Sequence, residues 1–438
     1  MKNHYKILTA VFIFTYSFSF SQTFTTVPSN ISELAKTPIN YSDDIKILSL
    51  SRSDTNVVFN DKMLNVFFAK EISKNFYGTN DLTLEKFYAS IDADENSLSL
   101  GTTFVFNQKS KLEPLKYIFN VGVKAKLEDK FSTIFKNGKL DNSELGITGK
   151  VSRVGNGILN YTSKDPVKLE RYNSIIDYRK LVQEKYSKKI KEYIATDYKF
   201  DLDSLKAINS DLKETDKVYK DFIKEKYEGY YQSIANEEIE FIKKNKMYKS
   251  FSDLWFSADF FIPIAEKEYK HSNSESNLGY QTSNFYPIKL SGSVTLFRKW
   301  SAGQSLYLTG QAAVFNNNSF LLESANKVSF QTITNQSATQ QSVSNTEIVY
   351  IGEYSKFITT AFRAELVFFP WKFVGISPAI EQNVGSYYHN TNWKLGIPFS
   401  FNDKDDKSTV NFEVQWKEQN DNHYVGISVS YVFGKFIK

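Results

Sequence analysis

The sequence predicts an all-β transmembrane antiparallel barrel of about 12 strands, with an inserted periplasmic α-helical hairpin. The strongest observation is the last strand-like segment, 423–436, in which apolar side chains alternate with small or polar ones. A second is that the same two-faced alternation recurs along the chain, as in strands that separate lipid from a polar lumen. Aromatic residues also make up 16% of the chain, which suits the two aromatic girdles of a membrane barrel.

Residues 1–21 have the layout of a cleavable secretory signal. Lys2 and Lys6 precede an apolar stretch, 7–20, that ends in a small-x-small sequence. That stretch is shorter than the roughly 20 residues that cross a bilayer as a helix. The chain has no cysteine, which excludes a cysteine-linked lipid anchor, disulfides and thiolate metal sites. Its small net charge of +5 gives no reason to expect nucleic acid as a partner.

Residues 22–83 carry the weakest pattern in the chain. They contain polar turns and one candidate helix, 61–73, with apolar residues on one side. The segment is either a periplasmic extension or a plug that enters the barrel. We favour the extension, because a plug of this length would crowd the lumen of a small barrel.

Barrel strands are predicted on both sides of a long insertion, first in 84–154 and then in 251–438. Each segment shows period-2 alternation, which places successive side chains on opposite faces of a sheet. The segments are 84–94, 97–107, 115–127, 145–154, 253–262, 288–299, 305–315, 358–369, 373–383, 393–401, 410–417 and 427–433.

The links between these segments fit one orientation of the barrel. Twelve is an even number, as single-chain bacterial barrels require. If both ends of the barrel sheet face the periplasm, the short links 301–304 and 370–372 fall on the periplasmic side. The long polar stretches 265–283, 316–346 and 385–392 then fall outside, where such barrels carry their long loops.

The last strand also carries a recognisable pattern. Four of its residues resemble the assembly signal of Gram-negative outer-membrane β-barrel proteins: Gly426, Val429, Tyr431 and Phe433. The resemblance covers roughly 84–436 and is to the architecture, with no subfamily assigned. It implies location in the outer membrane, recognition by the barrel-insertion machinery and contact with outer-membrane lipid. The chain departs from the pattern by closing on Ile437-Lys438 instead of an aromatic residue.

The insertion, 155–250, is predicted to be helical. Between 166 and 228 there is no glycine, and Pro166 after Asp165 is a good helix start. Apolar residues then recur every three or four positions in two blocks, about 169–193 and 202–231, which predicts a helical hairpin. A third helix is predicted over 236–248. By the strand count, the insertion projects into the periplasm.

Two interpretations of the helical surface stay open. Its mixed charges are typical of a solvated face with local ion pairs. Alternatively, 166–248 binds a periplasmic protein, because an amphipathic stripe with exposed tyrosines is a ready partner surface. The candidate residues are Tyr172, Tyr186, Tyr193, Tyr219, Tyr227 and Tyr231.

The alternation also predicts which charged side chains line the lumen. Either they select solutes by charge, or they pair across neighbouring strands, such as Lys394 with Glu413 or Arg363 with Glu381, and close the interior. The residues are Lys116, Lys124, Lys126, Lys150, Lys289, Arg363, Lys394, Asp253, Asp259, Glu365, Glu381 and Glu413. The early lysines favour anionic solutes if the lumen conducts.

Two main functions follow from this sequence. One is a pore or passive transporter for small polar solutes, with anionic solutes favoured by the early lysines. The other is a non-conducting barrel that anchors a periplasmic helical interaction module. An outer-membrane hydrolase is a remote third, because His389-Asn390 is the nearest approach to a catalytic pair and lies in no recognisable nucleophile motif. We expect no enzyme activity, no cofactor and no metal.

Overall fold

The computed structural model describes residues 29–36, 72, 86–92, 97–106, 116–126, 135–136, 139–140, 145–155, 158–160, 165–273, 280–321, 326–337, 340–386, 389–402, 408–419 and 422–433. In this part of the chain, twelve strands form one antiparallel sheet that closes on itself. The prediction of a 12-stranded antiparallel barrel is therefore confirmed. The signal segment 1–21 lies outside the described residues, as does nearly all of the candidate helix 61–73.

The barrel strands follow one another around the wall in chain order. They are β1 (Phe87–Asp92), β2 (Ser97–Phe106), β3 (Tyr117–Lys126), β6 (Gly146–Val154), β8 (Ser250–Pro263), β11 (Lys289–Trp300), β12 (Ser305–Asn318), β15 (Lys356–Phe369), β16 (Ser377–Gly385), β17 (Asn390–Asn402), β18 (Ser408–Gln419) and β19 (Asn422–Phe433). The remaining strands are β4 (Phe135–Lys136), β5 (Lys139–Leu140), β7 (Ile158–Asn160), β9 (Lys267–Ser272), β10 (Gln281–Phe285), β13 (Asn326–Ser337) and β14 (Gln340–Ile351).

Closure takes place between the last strand and the first. Phe87 of β1 is paired with Phe433 of β19, and Ile91 with Val429. The short strand β7 continues the line of β6 and pairs with the start of β8, Ile158 opposite Ser252. The whole wall is thus one meander of neighbouring hairpins, which antiparallel strands joined by direct links form.

The helical insertion consists of α2 (Asp165–Ile208) and α3 (Lys217–Lys244), with a short α1 (Ile31–Lys36) beside them. A hairpin is present as predicted, but its division is different. The first helix continues through Leu202 and Leu205, which were assigned to the second, and 236–248 is no separate helix because α3 runs unbroken to Lys244. The turn between the two helices falls at 209–216, and the spacing of apolar residues in the sequence does not show where it lies.

The hairpin has its own apolar core. Val182, Tyr186 and Ile190 of α2 pack against residues of α3, and Leu34 of α1 joins them. Polar contacts fix the helices in register. Lys185 Nζ lies 2.7 Å from Glu237 Oε1, and Tyr186 donates to the same oxygen at 2.9 Å. Burial, together with this hydrogen bond, raises the pKa of Tyr186 to about 12, so its hydroxyl keeps the proton that it donates.

The opposite end of the barrel carries a four-stranded sheet in the order β10-β9-β14-β13. It lies largely within 265–283 and 316–346, the stretches predicted as long outer loops, and runs on to Phe285 and Ile351. The sequence analysis predicted no strands there. The strands of this sheet are mostly neutral and polar, so apolar alternation does not reveal them. What holds the sheet is an aromatic cluster of Tyr269, Phe285 and Phe320, with Tyr350 and Tyr354 packed against it.

Acid is expected to loosen this sheet at His271. The ring is buried and stacks on Tyr354, 5.6 Å between ring centres, while Nε2 lies 3.0 Å from Ser283 Oγ. Burial lowers the pKa of His271 below its ordinary 6.5, so the unfolded state takes up a proton first as the pH falls. The stability from the neutral ring is therefore present above about pH 6.5 and lost below it.

Limited proteolysis of the sheet at about pH 7.5 and about pH 5 measures this effect, since the two values bracket the titration of an ordinary histidine. The wild-type sheet should be cut faster at the lower pH. The variant His271→Gln, which does not titrate, should be cut at similar rates at both. Equal acid sensitivity in the two proteins would show that another group is responsible.

Barrel wall and candidate lumen site

The outer face of the barrel is apolar all the way round. Large apolar side chains point outward and are exposed on every strand; examples are Leu100 (53% exposed) on β2 and Ile358 (66%) on β15. One such residue from each strand, in order, gives Ile91, Leu100, Val123, Ile147, Phe256, Leu290, Leu308, Ile358, Ile380, Leu395, Val414 and Ile427. A continuous apolar surface of this extent faces lipid rather than water.

Aromatic residues border this band at both ends. Trp393 and Trp416 lie edge to face, 5.0 Å between ring centres, at the end that bears the four-stranded sheet. Trp371 and Phe373 are exposed at the end that bears the helices. Aromatic side chains favour this position because the two membrane interfaces solvate both their apolar and polar parts. A closed barrel forms all of its main-chain hydrogen bonds between its own strands, so it is stable within the bilayer. The barrel of this chain therefore spans a membrane.

The chain is an outer-membrane β-barrel protein. No family model and no curated protein matches this outer-membrane barrel. Among the solved structures that resemble it is the β domain of the Bordetella autotransporter BrkA, with 7% identity, 80% of this chain and 97% of that chain covered and a TM-score of 0.28. Another is a loop L8 deletion mutant of OmpT, an outer membrane protein of Vibrio cholerae, with 8% identity, 79% and 98% covered and a TM-score of 0.24. At these values the likenesses carry no argument, and the assignment rests on the barrel's own geometry. Among the described residues, no helix is long and apolar enough to span a membrane.

The inner face of the outer-membrane barrel is polar, and a hydrogen-bonded belt follows it across neighbouring strands. Ser291 donates to Asp259 at 2.6 Å, and Gln311 donates to Ser291 at 3.0 Å. On β18 and β19, Gln415 donates to Ser428 at 2.9 Å. Most of these inward side chains are buried, so they satisfy one another where water would otherwise be needed.

A buried ion network lies in this belt on β15 to β18. Lys394 Nζ is 2.6 Å from Glu365 Oε1 and 3.1 Å from Glu413 Oε2. Arg363 Nη2 is 3.4 Å from Glu365 Oε2, and Ser377 Oγ donates to Glu413. Two cations thus face two carboxylates within hydrogen-bonding range. This is the arrangement that makes buried charges tolerable.

Of the two charge pairs expected from the sequence, one is present. Lys394 does contact Glu413, whereas the contact that Arg363 makes at 3.4 Å is with Glu365 on its own strand. Glu381 lies directly opposite Arg363 in the strand register and accepts a hydrogen bond from Asn383 at 3.1 Å. Glu365 was assigned to the lumen, but its place between two cations was not foreseen.

The facing part of the wall, on β3, β6, β8 and β11, holds a recess of about 30 Å³. Asn120, Lys150 and Asp259 stand side by side on neighbouring strands and line it. Lys124 and Lys289 also line it and are half-buried. The recess therefore brings together three of the predicted lumen lysines and one predicted carboxylate.

The remaining predicted lumen residues belong neither to the ion network on β15 to β18 nor to the recess. Lys116 is exposed just before β3, and Asp253 is buried near the end that carries the helices. The side chain of Lys126 is not among those that the structure describes. The assembly-signal residues Gly426, Val429 and Tyr431 lie in β19, and Phe433 ends it.

Near the helical end, inward aromatic side chains replace the polar ones. Phe251, Phe297 and Tyr307 are completely buried, and Trp255 and Phe369 nearly so. The Phe297 and Tyr307 ring centres are 4.9 Å apart. These residues come from four adjacent strands, β8, β11, β12 and β15, and give that side of the lumen an apolar lining that the sequence analysis did not single out. The sequence did hold a signal for this lining: the aromatic residues alternate in step with Asp253 and Thr295, which predicts that they lie on the same inner face.

Another inward aromatic, Tyr88 of β1, lies over two glycines on the next strands. Its ring occupies the space that a side chain at Gly101 would take, and its hydroxyl reaches the same position at Gly122. The absence of side chains at these two positions lets the ring lie flat across the wall, where it fills the inner surface.

The partner-binding tyrosines are placed differently from the prediction. Tyr186, Tyr193, Tyr219 and Tyr227 are buried, so the prediction that they form an exposed partner surface is wrong. Their apolar rings fill the hairpin core, and hydroxyls such as those of Tyr198 and Tyr219, 2.7 Å apart, pair with each other. The side chains of Tyr172 and Tyr231 are outside the described set. Exposed apolar residues sit instead near the turn: Phe200, Ile208 and Val218.

No group of acidic or histidine side chains within the described residues has the geometry of a metal site.

Proposed function

We propose that this outer-membrane barrel is a closed anchor whose helical hairpin, on the periplasmic side, binds a protein partner. The observation that carries the proposal is the burial of the inner wall. Polar inward residues such as Ser99 on β2, and Ser400 and Asn411 paired on β17 and β18, have almost no exposed surface. The inner side chains of a water-filled channel would be partly exposed.

The charges on β15 to β18 support the same proposal. Lys394 and Arg363 point at Glu365 and Glu413 instead of at open solvent. A pore that selects ions needs charges that attract a passing solute. In this barrel, the described contacts of the charged groups on β15 to β18 are with one another.

The hairpin supplies the surface for a partner. Phe200 and Ile208 are eight residues apart on α2, hence on one helix face, and are 74% and 87% exposed. Val218, also exposed, starts α3 across the turn. An α3 of 28 residues is about 42 Å long at 1.5 Å per residue, long enough to carry the turn well clear of the membrane. Short turns at the helical end support a periplasmic position for that end, as the usual barrel rule expects.

A pore for small anionic solutes is the second candidate. It is favoured by the recess on β3 to β11, whose lining includes the three inward lysines Lys124, Lys150 and Lys289.

Planar-bilayer recording of the refolded full chain, combined with affinity capture from the outer membrane, separates the two. We expect a folded barrel, shown by heat-modifiable gel mobility, that gives no discrete openings. We also expect a captured partner that is lost in the variant with Phe200→Ser, Ile208→Ser and Val218→Ser. Leu181→Ser, which removes an equally exposed apolar side chain from α2, is the matched control.

Each result bears on one half of the proposal. Discrete openings in the wild-type protein would support the pore instead. A partner that is captured equally well by the triple variant and by Leu181→Ser would remove the turn of the hairpin as its binding surface.

A further inference from the structure

Four side chains on the outer face of the barrel have a chemistry that the closed-anchor function does not use. Trp393 of β17, Glu418 of β18 and His423 of β19 lie directly opposite one another across the three strands. Trp416 lies two residues before Glu418 on β18, hence on the same face of the sheet. The four alternate in step with the exposed apolar residues of their strands. This cluster therefore lies on the surface of the wall that meets lipid.

Glu418 is the unusual member of the cluster, because a carboxylate on a lipid-facing surface is costly unless a cation accompanies it. Its Oε2 accepts a hydrogen bond from Trp393 Nε1 at 2.6 Å, and His423 Nδ1 lies 4.0 Å from the same oxygen. The indole is neutral, and a histidine balances the charge only when it is protonated. In the described part of the chain, no lysine or arginine lies within ion-pair distance of Glu418. A cation from outside the chain would neutralise it.

The two tryptophans make the same place favourable for a cation. Trp393 and Trp416 are nearly perpendicular, with 79° between the ring planes and 5.0 Å between the ring centres. The ring of His423 lies 6.2 Å from the first and 5.8 Å from the second, so a group bound beside Glu418 is within reach of both indoles. The face of an indole attracts cations more strongly than that of any other side chain. Aromatic rings around a charge of this kind are how proteins recognise ammonium groups.

The position of the cluster specifies where the ammonium group comes from. The cluster lies at the aromatic border of the apolar band, at the depth of the lipid headgroups. A lipid that lies against the band holds its headgroup beside the cluster, which raises the local concentration of that headgroup. The described hydrogen bond to Glu418 uses Oε2, so Oε1 can accept from a primary ammonium, which has three N–H donors.

We propose that this cluster binds the ammonium group of a lipid headgroup, such as that of phosphatidylethanolamine. Glu418 accepts hydrogen bonds from the ammonium, and the indole rings of Trp393 and Trp416 stabilise its charge. The site is independent of the closed-anchor proposal, because it lies on the outer face of the wall and functions whether or not the lumen conducts.

Isothermal titration of the refolded full chain in detergent micelles, with short-chain lipids, tests the site. The probes are phosphatidylethanolamine and its N-acetylated form, which has the same acyl chains but no ammonium. At about pH 8, the upper end of the usual range of histidine titration, the wild-type protein should bind phosphatidylethanolamine at least about tenfold more tightly. The net charge of +5 favours the anionic N-acetylated lipid, so overall charge cannot produce this preference.

Two variants and a matched control locate the binding. Glu418→Gln removes the charge but keeps an acceptor for Trp393, and it should bring the affinities for the two lipids close together. Trp416→Leu should weaken binding of phosphatidylethanolamine about tenfold. Trp371→Leu is the control, because Trp371 is also exposed but lies at the helical end of the barrel, and it should leave binding unchanged. If Glu418→Gln does not fold, as judged by heat-modifiable mobility, the comparison of the two tryptophan variants replaces it.

The proposal is overturned if the folded wild-type protein binds the two lipids equally well, or if Glu418→Gln keeps the full preference. It is also overturned if Trp371→Leu loses as much affinity as Trp416→Leu. O-phosphoethanolamine, the headgroup without acyl chains, tests the source of the ammonium. Weaker binding of this compound than of the lipid supports a lipid ligand, whereas equally tight binding would overturn that assignment.

Discussion

Replacing Lys394 with methionine is expected to destabilise the barrel by about 3–5 kcal/mol, the usual cost of removing one partner from a buried ion pair. Lys394 contacts Glu365 at 2.6 Å and Glu413 at 3.1 Å, and is itself only 8% exposed. The substitution leaves the buried Glu413 and the largely buried Glu365 without Lys394, with Arg363 as the described cation beside Glu365. Methionine has a similar length, so lost volume contributes little to the effect.

Urea unfolding in lipid vesicles, followed by heat-modifiable mobility, measures the change. The double variant with Lys394→Met and Glu413→Gln is the decisive control, since it also removes the carboxylate that Lys394 no longer neutralises and leaves Arg363 paired with Glu365. It should recover much of the lost stability, because neutral groups in place of a buried network are often tolerated. If the single variant is as stable as wild type, water reaches these residues and the inner wall is not closed there.

Replacing Gly101 with valine is expected to cost about 1–3 kcal/mol, the typical penalty of overpacking. A side chain at Gly101 meets the ring of Tyr88 directly. The ring cannot move toward the wall, so it must swing into the lumen and give up its packing. Because β1 and β19 form the closing seam, with Ile91 paired with Val429, the loss falls next to the strand pair that closes the barrel.

The matched control is Gly292→Val on β11, where the nearest atom to a new side chain is 3.8 Å away. This outward glycine faces lipid, so valine should be neutral or slightly stabilising. Adding Tyr88→Ala to Gly101→Val should restore part of the loss, because the clash is then removed. Equal destabilisation by the two glycine variants in urea unfolding would mean that β-strand backbone effects, and not the tyrosine, decide the outcome.

The barrel was predictable from sequence because each strand divides its residues between lipid and lumen. Even the weakest candidate, 84–94, proved to be β1 (Phe87–Asp92). The four-stranded sheet gave no such signal, since β13 and β14 are rich in uncharged polar residues on both faces. Its stability comes from Tyr269 and aromatic neighbours that are distant in the sequence, and one-dimensional patterns do not record such contacts.

For the site, the sequence predicted the face on which each residue lies but not which of these residues contact one another. Alternation placed Lys150, Asp259, Lys394 and Glu413 on the inner face, and the structure has them inward. Which of them meet depends on register and strand neighbours: Lys150 stands opposite Asp259 because β6 pairs with β8, although more than 100 residues separate them in the chain. The helical tyrosines failed as surface residues for a related reason. Periodicity finds an apolar stripe, but it does not say whether the stripe faces a partner or the second helix of the same hairpin.

The attachment of the hairpin has a mechanical consequence. Its two helices leave the wall through β7 and the start of β8, which are hydrogen-bonded neighbours about 4.8 Å apart. A pulling force on the hairpin therefore peels these strands apart one pair at a time, as a zipper opens, instead of shearing a long ladder all at once. Only three residue pairs join β7 to β8, beginning at Ile158 and Ser252. These three pairs would break first under load. The hairpin would then extend further from the wall while the other barrel strands keep their hydrogen bonds.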